Sequence, residues 1–159
     1  MVEANDGGYL LGGSSSSGIS GIKTEINLGV TDYWLVRIDS IGNIVWQNTI
    51  GGSSSDAITH LANTPDGGFI VTGYSFSNIS GDKTENGHNF SADYWILKID
   101  SLGAIQWQNT IGGNGSDLPL SAYSNADGTC IVAGYSSSGA TGDKTEANLG
   151  GFDFWILKL

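Results

Sequence analysis

Six carboxylates fall in two corresponding stretches of the chain: Asp82, Glu85 and Asp93, then Asp143, Glu146 and Asp153. Carboxylates separated by glycine-rich backbone, whose carbonyls also turn outward, are the donor set that a hard cation such as Ca²⁺ takes. The spacing matches neither an EF-hand loop nor a glycine–aspartate nonapeptide. Ile22 stands where the other stretches have Asp82 and Asp143, and Lys83 and Lys144 sit beside those acids. Two readings stay open: a calcium site, or loops in which each acid bonds backbone N–H groups.

Other side chains have simpler expectations. Tyr74 and Tyr135 flank the same long polar stretches and are placed to stack on sugar rings or to meet a protein at a rim. Trp34, Trp95 and Trp155 are equivalent, as are Trp46 and Trp107, and such repetition predicts packing between repeated units. His60 and His88 pair with no evident nucleophile, and Cys130 aligns with Phe69 and Tyr9 as a small core residue. No G-x-S-x-G, H-E-x-x-H or phosphate-loop pattern occurs. A catalytic centre needs an asymmetric constellation, so near-perfect repetition argues against an enzyme.

These residues recur because the chain repeats. Residues 32–56 read DYWLVRIDSIGNIVWQNTIGGSSSD and residues 93–117 read DYWILKIDSLGAIQWQNTIGGNGSD, with 17 of 25 positions identical. A third copy starts at Asp153 as DFWILKL. GGYLLGGSS, GGFIVTGYS and GTCIVAGYS recur in step, as do GIKTE, GDKTE and GDKTE, so the period is 60–61 residues.

Each period predicts four strands, at Ala57–Ala62, Phe69–Tyr74, Tyr94–Ile99 and Ile105–Ile111 in the central copy. Asp66-Gly67-Gly68 and Asp100-Ser101-Leu102-Gly103 are tight hairpin turns, so neighbouring strands run antiparallel. Tyr-Trp-Ile-Leu-Lys-Ile and Phe-Ile-Val-Thr-Gly-Tyr are apolar on both faces, which a sheet needs only when covered on both sides. The expectation is all-β: four-stranded antiparallel meanders stacked as β-propeller blades, about two and two-thirds of them, in an incomplete ring. The units are a partial blade over 1–52, a blade over 53–113 and a partial blade over 114–159, within one repeat domain. Closed propellers take about 4–8 blades. The expectation is therefore a segment of a longer repeat protein, or a chain that associates with copies of itself.

Composition agrees. The 159 residues include 25 Gly and only 14% charged residues, with 16 acids against 6 bases for a net charge of −10. That balance disfavours nucleic acid and anionic lipid as partners. No apolar run is long enough for membrane insertion. One cysteine excludes an intrachain disulfide. Met1-Val2-Glu3-Ala4-Asn5-Asp6 lacks the basic and apolar regions of a signal peptide.

The strings DGGYLLGGSSS, GDKTE, DYWILKIDSLG and IQWQNTIGG resemble a repeat of large secreted surface proteins of gliding Gram-negative bacteria. That resemblance covers essentially the whole chain. It implies β-propeller blades, secretion or display at the cell surface, and no catalytic assignment. Asp39-Ser40-Ile41 and Asp100-Ser101-Leu102 also resemble the O-glycosylation acceptor of such bacteria, which marks Ser40 and Ser101, although serine equally suits the turn. The favoured function is a non-catalytic structural or adhesive module binding protein or glycan. The alternatives are a calcium-stabilised scaffold, or part of a polysaccharide-active propeller enzyme.

Overall fold

The computed structural model describes all residues, 1–159. It contains eleven β-strands and no helix, hence no helix long and apolar enough to cross a membrane. The first sheet holds β1 (Val2–Glu3), β2 (Tyr9–Ser15), β3 (Asp32–Ile38) and β4 (Ile44–Ile50). The second holds β5 (Asp56–Asn63), β6 (Phe69–Ser75), β7 (Asp93–Ile99) and β8 (Ile105–Ile111). The third holds β9 (Asp117–Ser124), β10 (Cys130–Ser136) and β11 (Asp153–Lys158). Every sheet is an antiparallel meander in chain order.

The turns follow from their residues. Asp100 Oδ1 accepts from the N–H groups of Leu102 and Ala104, both at 2.9 Å, and Gly103 closes the turn at φ +88°. A side chain at such a φ is strained, so glycine is required there. In the other hairpin Asp66 accepts from Gly68 N–H at 3.1 Å and Gly67 has φ +84°. Pro119 lies in β9, an edge strand, opposite Gly134 at a bulge in the β9–β10 register, where its missing N–H interrupts no central ladder.

The sheets pack face to face. Leu10, Tyr33, Leu35 and Ile50 of the first meet Leu61, Phe69, Val71, Trp95, Leu97 and Ile99 of the second in one core. Ile70, Tyr94 and Ile96 on the opposite face of the second meet Ala122, Cys130 and Val132 of the third in another. A sheet therefore has a forward face, turned to the next sheet, and a back face, turned to the previous one. β5 lies against the first sheet, chiefly against β2, and β9 lies against β5 and β6, while β4 and β8 make no comparable approach.

Aromatic residues repeat these contacts. Tyr33 Oη donates to the carbonyl of Trp95 at 3.2 Å, with ring centroids 4.9 Å apart. Tyr94 Oη does the same to Trp155 at 3.4 Å, with centroids at 5.3 Å. Gly73 and Gly134 make room, since a Cβ on either would collide with the tyrosine hydroxyl in front of it. The tryptophans divide where sequence treats them alike. Trp95 is fully buried, Trp34, Trp46 and Trp155 are half-buried, and Trp107 is 36% exposed. Trp46 is covered because its Nε1 donates to Ser101 O at 3.0 Å, under the β7–β8 turn of the next sheet. Trp107 lines an open groove of about 400 Å³ with Lys98 and with Asp66 and Asp127 of the β5–β6 and β9–β10 turns.

Candidate functional site

The acids of the long loops separate along the fold. Gly51 N–H donates to Asp82 Oδ2 at 3.2 Å, while Asp82 N–H donates back to Gly51 O at 2.9 Å. Asp143 and Gly112 exchange the same two bonds, at 3.0 and 2.9 Å. Each long loop is thus clasped to the crossover that leaves the preceding sheet. Glu85 accepts from Thr110 N–H in β8, as Glu25 does from Thr49 N–H in β4, and Glu146 is exposed. Asp93 accepts from His88 N–H, and Asp153 from Leu149 N–H. The sequence grouping of Asp82 with Glu85 and Asp93, and of Asp143 with Glu146 and Asp153, does not hold in space. No three acid, histidine or cysteine side chains gather in a metal-holding set.

The structure gathers acids across repeats instead. Asp93, at the start of β7, and Asp117, at the start of β9, both occupy the space a Cβ on Gly112 would take, and Gly112 N–H also bonds Asp143. Asp32, Asp56 and Asp82 surround the crossover at Gly51 and Gly52 in the same way. A Cβ on Gly51 or Gly112 would collide with the carboxylate of Asp32 or Asp93, so glycine is required at both crossovers. One oxygen of each inner acid is used: Asp56 Oδ2 accepts from Gly52 N–H at 2.7 Å and Ser77 Oγ at 3.0 Å, and Asp117 Oδ2 from Gly113 N–H and Ser138 Oγ, both at 2.8 Å. The other oxygens, Oδ1 of Asp32, Asp56, Asp93 and Asp117, are buried without a hydrogen-bond partner.

Electrostatics register that crowding. Burial raises the Asp93 carboxyl to about 6, with Asp117 adding to the rise and the His88 N–H opposing it. Asp32 and Asp82 are raised by burial as well, and the neighbouring acids push further in the same direction. Lys83 is buried above the Trp95 ring, 5.3 Å from its centroid, and donates to Thr110 Oγ1. Burial lowers it to about 8, against the pull of Asp56, Asp93 and Glu85.

His88 breaks the repeat. It occupies the position of Leu28 and Leu149, with Nδ1 3.7 Å from Asp93 Oδ2 and Nε2 3.7 Å from Asp143 Oδ2. The following Asn89 and Phe90 have φ +49° and +57°. One extra residue separates Glu85 from Asp93 compared with the other copies, and these left-handed residues fall within that lengthened stretch. His60 has a structural role that sequence missed: its Nδ1 accepts from Ala122 N–H at 3.2 Å, tying β5 to β9. Bulging of β5 between Ile58 and His60 accompanies that placement.

Tyr74 and Tyr135 stand at the long-loop end, each paired edge to face with a phenylalanine. Tyr74 meets Phe76 at 6.1 Å, and Tyr135 meets Phe152 at 5.2 Å. Both phenylalanines are exposed while the tyrosines are half-buried, so each pair presents an apolar edge on a polar rim. Sequence reading passed over Phe76 and Phe152 because they occupy different places, one just after β6 and the other just before β11. Ser40 and Ser101 are exposed in their turns. Cys130 is buried in the second core, and burial raises its thiol pKa.

No known family profile matches the chain. Among curated proteins it is similar to the Regulatory protein FlaEY of Caulobacter vibrioides, 24% identical over 163 residues. The alignment takes in 98% of this chain and 17% of that protein, so the chain spans about a sixth of its relative's length.

Proposed function

We propose that the three sheets are β-propeller blades and that the chain is a non-catalytic binding module of a secreted or surface-displayed protein. The observation that carries the architectural part is the approach of β5 to the first sheet and of β9 to β5 and β6, beside fourth strands β4 and β8 that do not approach each other. Radial blades converge at their inner strands and splay at their outer ones. The binding part rests on Tyr74–Phe76 and Tyr135–Phe152, which offer partly exposed aromatic edges to a sugar ring or a protein loop. The non-catalytic reading is supported by the employment of Asp56, Asp82, Asp117 and Asp143 on backbone N–H groups, which makes them fastenings of the fold. Ser40 and Ser101 stay candidates for O-glycosylation, which the intact mass of native material reads directly.

Screening the full chain on a glycan array and against surface proteins of the source cell tests this function. Binding that falls at least about tenfold in a Phe76→Ala, Phe152→Ala double variant is the expected result. Undiminished binding moves the ligand away from the aromatic pairs, and turnover of a polysaccharide substrate overturns the non-catalytic reading. A second reading, calcium-stabilised scaffolding, is favoured by the unpartnered Oδ1 atoms of Asp32, Asp56, Asp93 and Asp117, of which those of Asp32 and Asp93 lie beside Gly51 and Gly112. It predicts a rise in melting temperature on adding CaCl₂ that EDTA reverses, and an unchanged melt disposes of it.

A further inference from the structure

The long loop of the second sheet departs from its counterparts at one place, and a cleft stands there. Between the first and second sheets the corresponding place is filled. Leu28 Cδ1 comes within 3.2 Å of where a Cβ on Gly81 would stand, and Gly29 lies so near the carbonyls of Gly52 and Ser54 that a Cβ on it would collide with both. Between the second and third sheets His88 takes the place of Leu28, Asn89 follows where Gly29 follows, and one further residue precedes Asp93. Asn114 and Thr141 stand where the first interface has Ser53 and Ser80. His88, Asn89, Asn114 and Thr141, with Gly113 and Gly142, line an open cleft of about 590 Å³ that has no apolar side chain in its walls. Those walls are the β6–β7 loop, the crossover after β8 and the β10–β11 loop, each held at both ends by a strand of this chain.

The polar groups of the cleft are only half used. Asn114 Oδ1 accepts from Gly139 N–H at 3.0 Å and from Thr141 Oγ1 at 2.9 Å, which fixes its amide. Asn89 Nδ2 donates to Asn114 O at 3.2 Å. Asn114 Nδ2, a donor, and Asn89 Oδ1, an acceptor, then have no partner within the chain. His88 Nε2 is 3.7 Å from Asp143 Oδ2, beyond hydrogen-bond reach. Phe90, the next residue after Asn89, is 88% exposed. Asn89 and Phe90 both hold positive φ, a strain that residues other than glycine keep where a site requires it.

We propose that this cleft binds a neutral sugar unit of a glycan, whose hydroxyls bond Asn114 Nδ2, Asn89 Oδ1 and His88 Nε2 and whose apolar ring face meets the Phe90 ring. This rests on the binding reading and gives it a location apart from the tyrosine–phenylalanine pairs. A sugar hydroxyl donates and accepts at once, so neighbouring hydroxyls meet a free amide N–H and a free amide oxygen together. A peptide is held by an unpaired strand edge or by apolar pockets, and the lining offers neither. Anionic ligands are repelled, because Asp93 and Asp143 each stand 3.7 Å from a His88 nitrogen and the chain carries a net charge of −10.

Titrating the full chain over an array of neutral and acidic oligosaccharides gives the test. The expected result is binding to neutral oligosaccharides that weakens at least about tenfold in His88→Leu and in Asn114→Ser, as the loss of a hydrogen bond does. Both substitutions install the residue that the first interface carries, Leu28 or Ser53, so the fold accommodates them. Phe90→Ala changes a ring already in water and weakens the same binding with no shift in melting temperature. Binding that survives all three variants but falls in the Phe76→Ala, Phe152→Ala double variant overturns the cleft and leaves the binding reading standing. Binding to acidic oligosaccharides alone, or to protein partners alone, overturns the neutral-sugar assignment and likewise leaves that reading standing. A chain that binds neither oligosaccharide nor protein overturns both.

Discussion

The interface between the first and second sheets and that between the second and third use equivalent residues with different results. At the first, Tyr33 reaches a fully buried Trp95, and Trp46 is roofed by the Ser101 turn. At the second, Tyr94 reaches a half-buried Trp155, and Trp107 lines an open groove. The inner tie is Ile58 N–H to Ser14 Oγ at the first and Ala122 N–H to His60 Nδ1 at the second. Repetition therefore settles which side chain points where. The neighbour laid over it settles how far it is withdrawn from water, and so what it contributes.

The sharpest way to test that difference is to truncate the tryptophans. Trp95→Ala should cost about 3–5 kcal/mol, as emptying a filled aromatic site does. Trp107→Ala should cost about 1 kcal/mol or less, since much of its ring is already in water. Urea unfolding measures both, and equal losses would end the distinction between the interfaces.

Next come the acids that the interfaces share. Asp56→Ala and Asp117→Ala each strand a crossover N–H and a buried serine hydroxyl, and each should cost about 1–3 kcal/mol. Near-equal values in denaturant titrations are expected, because this contact is identical at both interfaces. A twofold inequality would place the difference deeper than the coverage of Trp107.

Smaller still is the tyrosine hydroxyl. Tyr33→Phe should lose about 1 kcal/mol and Tyr94→Phe less, given the longer bond and the partial exposure of its partner. The reverse order, read by thermal melts, would show that hydroxyl burial does not follow ring burial here.

The difference also bears on pH dependence. Asp93 keeps its proton in the folded chain up to about pH 6, above the unfolded value of about 3.9. Between those limits the folded state holds the extra proton, so stability falls as pH rises from about 4 to about 6. Asp93→Asn should flatten that slope in melting temperature against pH, and an undiminished slope would assign it to Asp32 and Asp82.

Much of the fold was legible in the residues. The Asp-Gly and Asp-Ser-x-Gly turns placed the hairpins, and strands apolar on both faces announced stacked sheets, because both signals are local. The acids were misgrouped because sequence places Asp82, Glu85 and Asp93 in one loop, while the chain folds so that Asp82 bonds the crossover behind it and Asp93 faces Asp117 ahead. Contacts between repeats leave no mark in the spacing within one. Lys83 was noted only as a neighbour of Asp82, since nothing nearby in the chain reveals that Trp95 and Thr110 enclose it.

The clasp between Asp82 and Gly51, repeated by Asp143 and Gly112, never joins two residues of the same repeat. The middle unit carries half a fastening at each end, the loop acid Asp82 for the unit before it and the crossover Gly112 for the one after, whereas the first unit has Ile22 in place of the acid. A tandem duplication at the level of the coding DNA would therefore insert one sheet together with one whole fastening. An in-frame deletion of the middle unit would set the Gly51 crossover against the loop acid Asp143, while leaving Ser14 without Ile58 and Ala122 without His60.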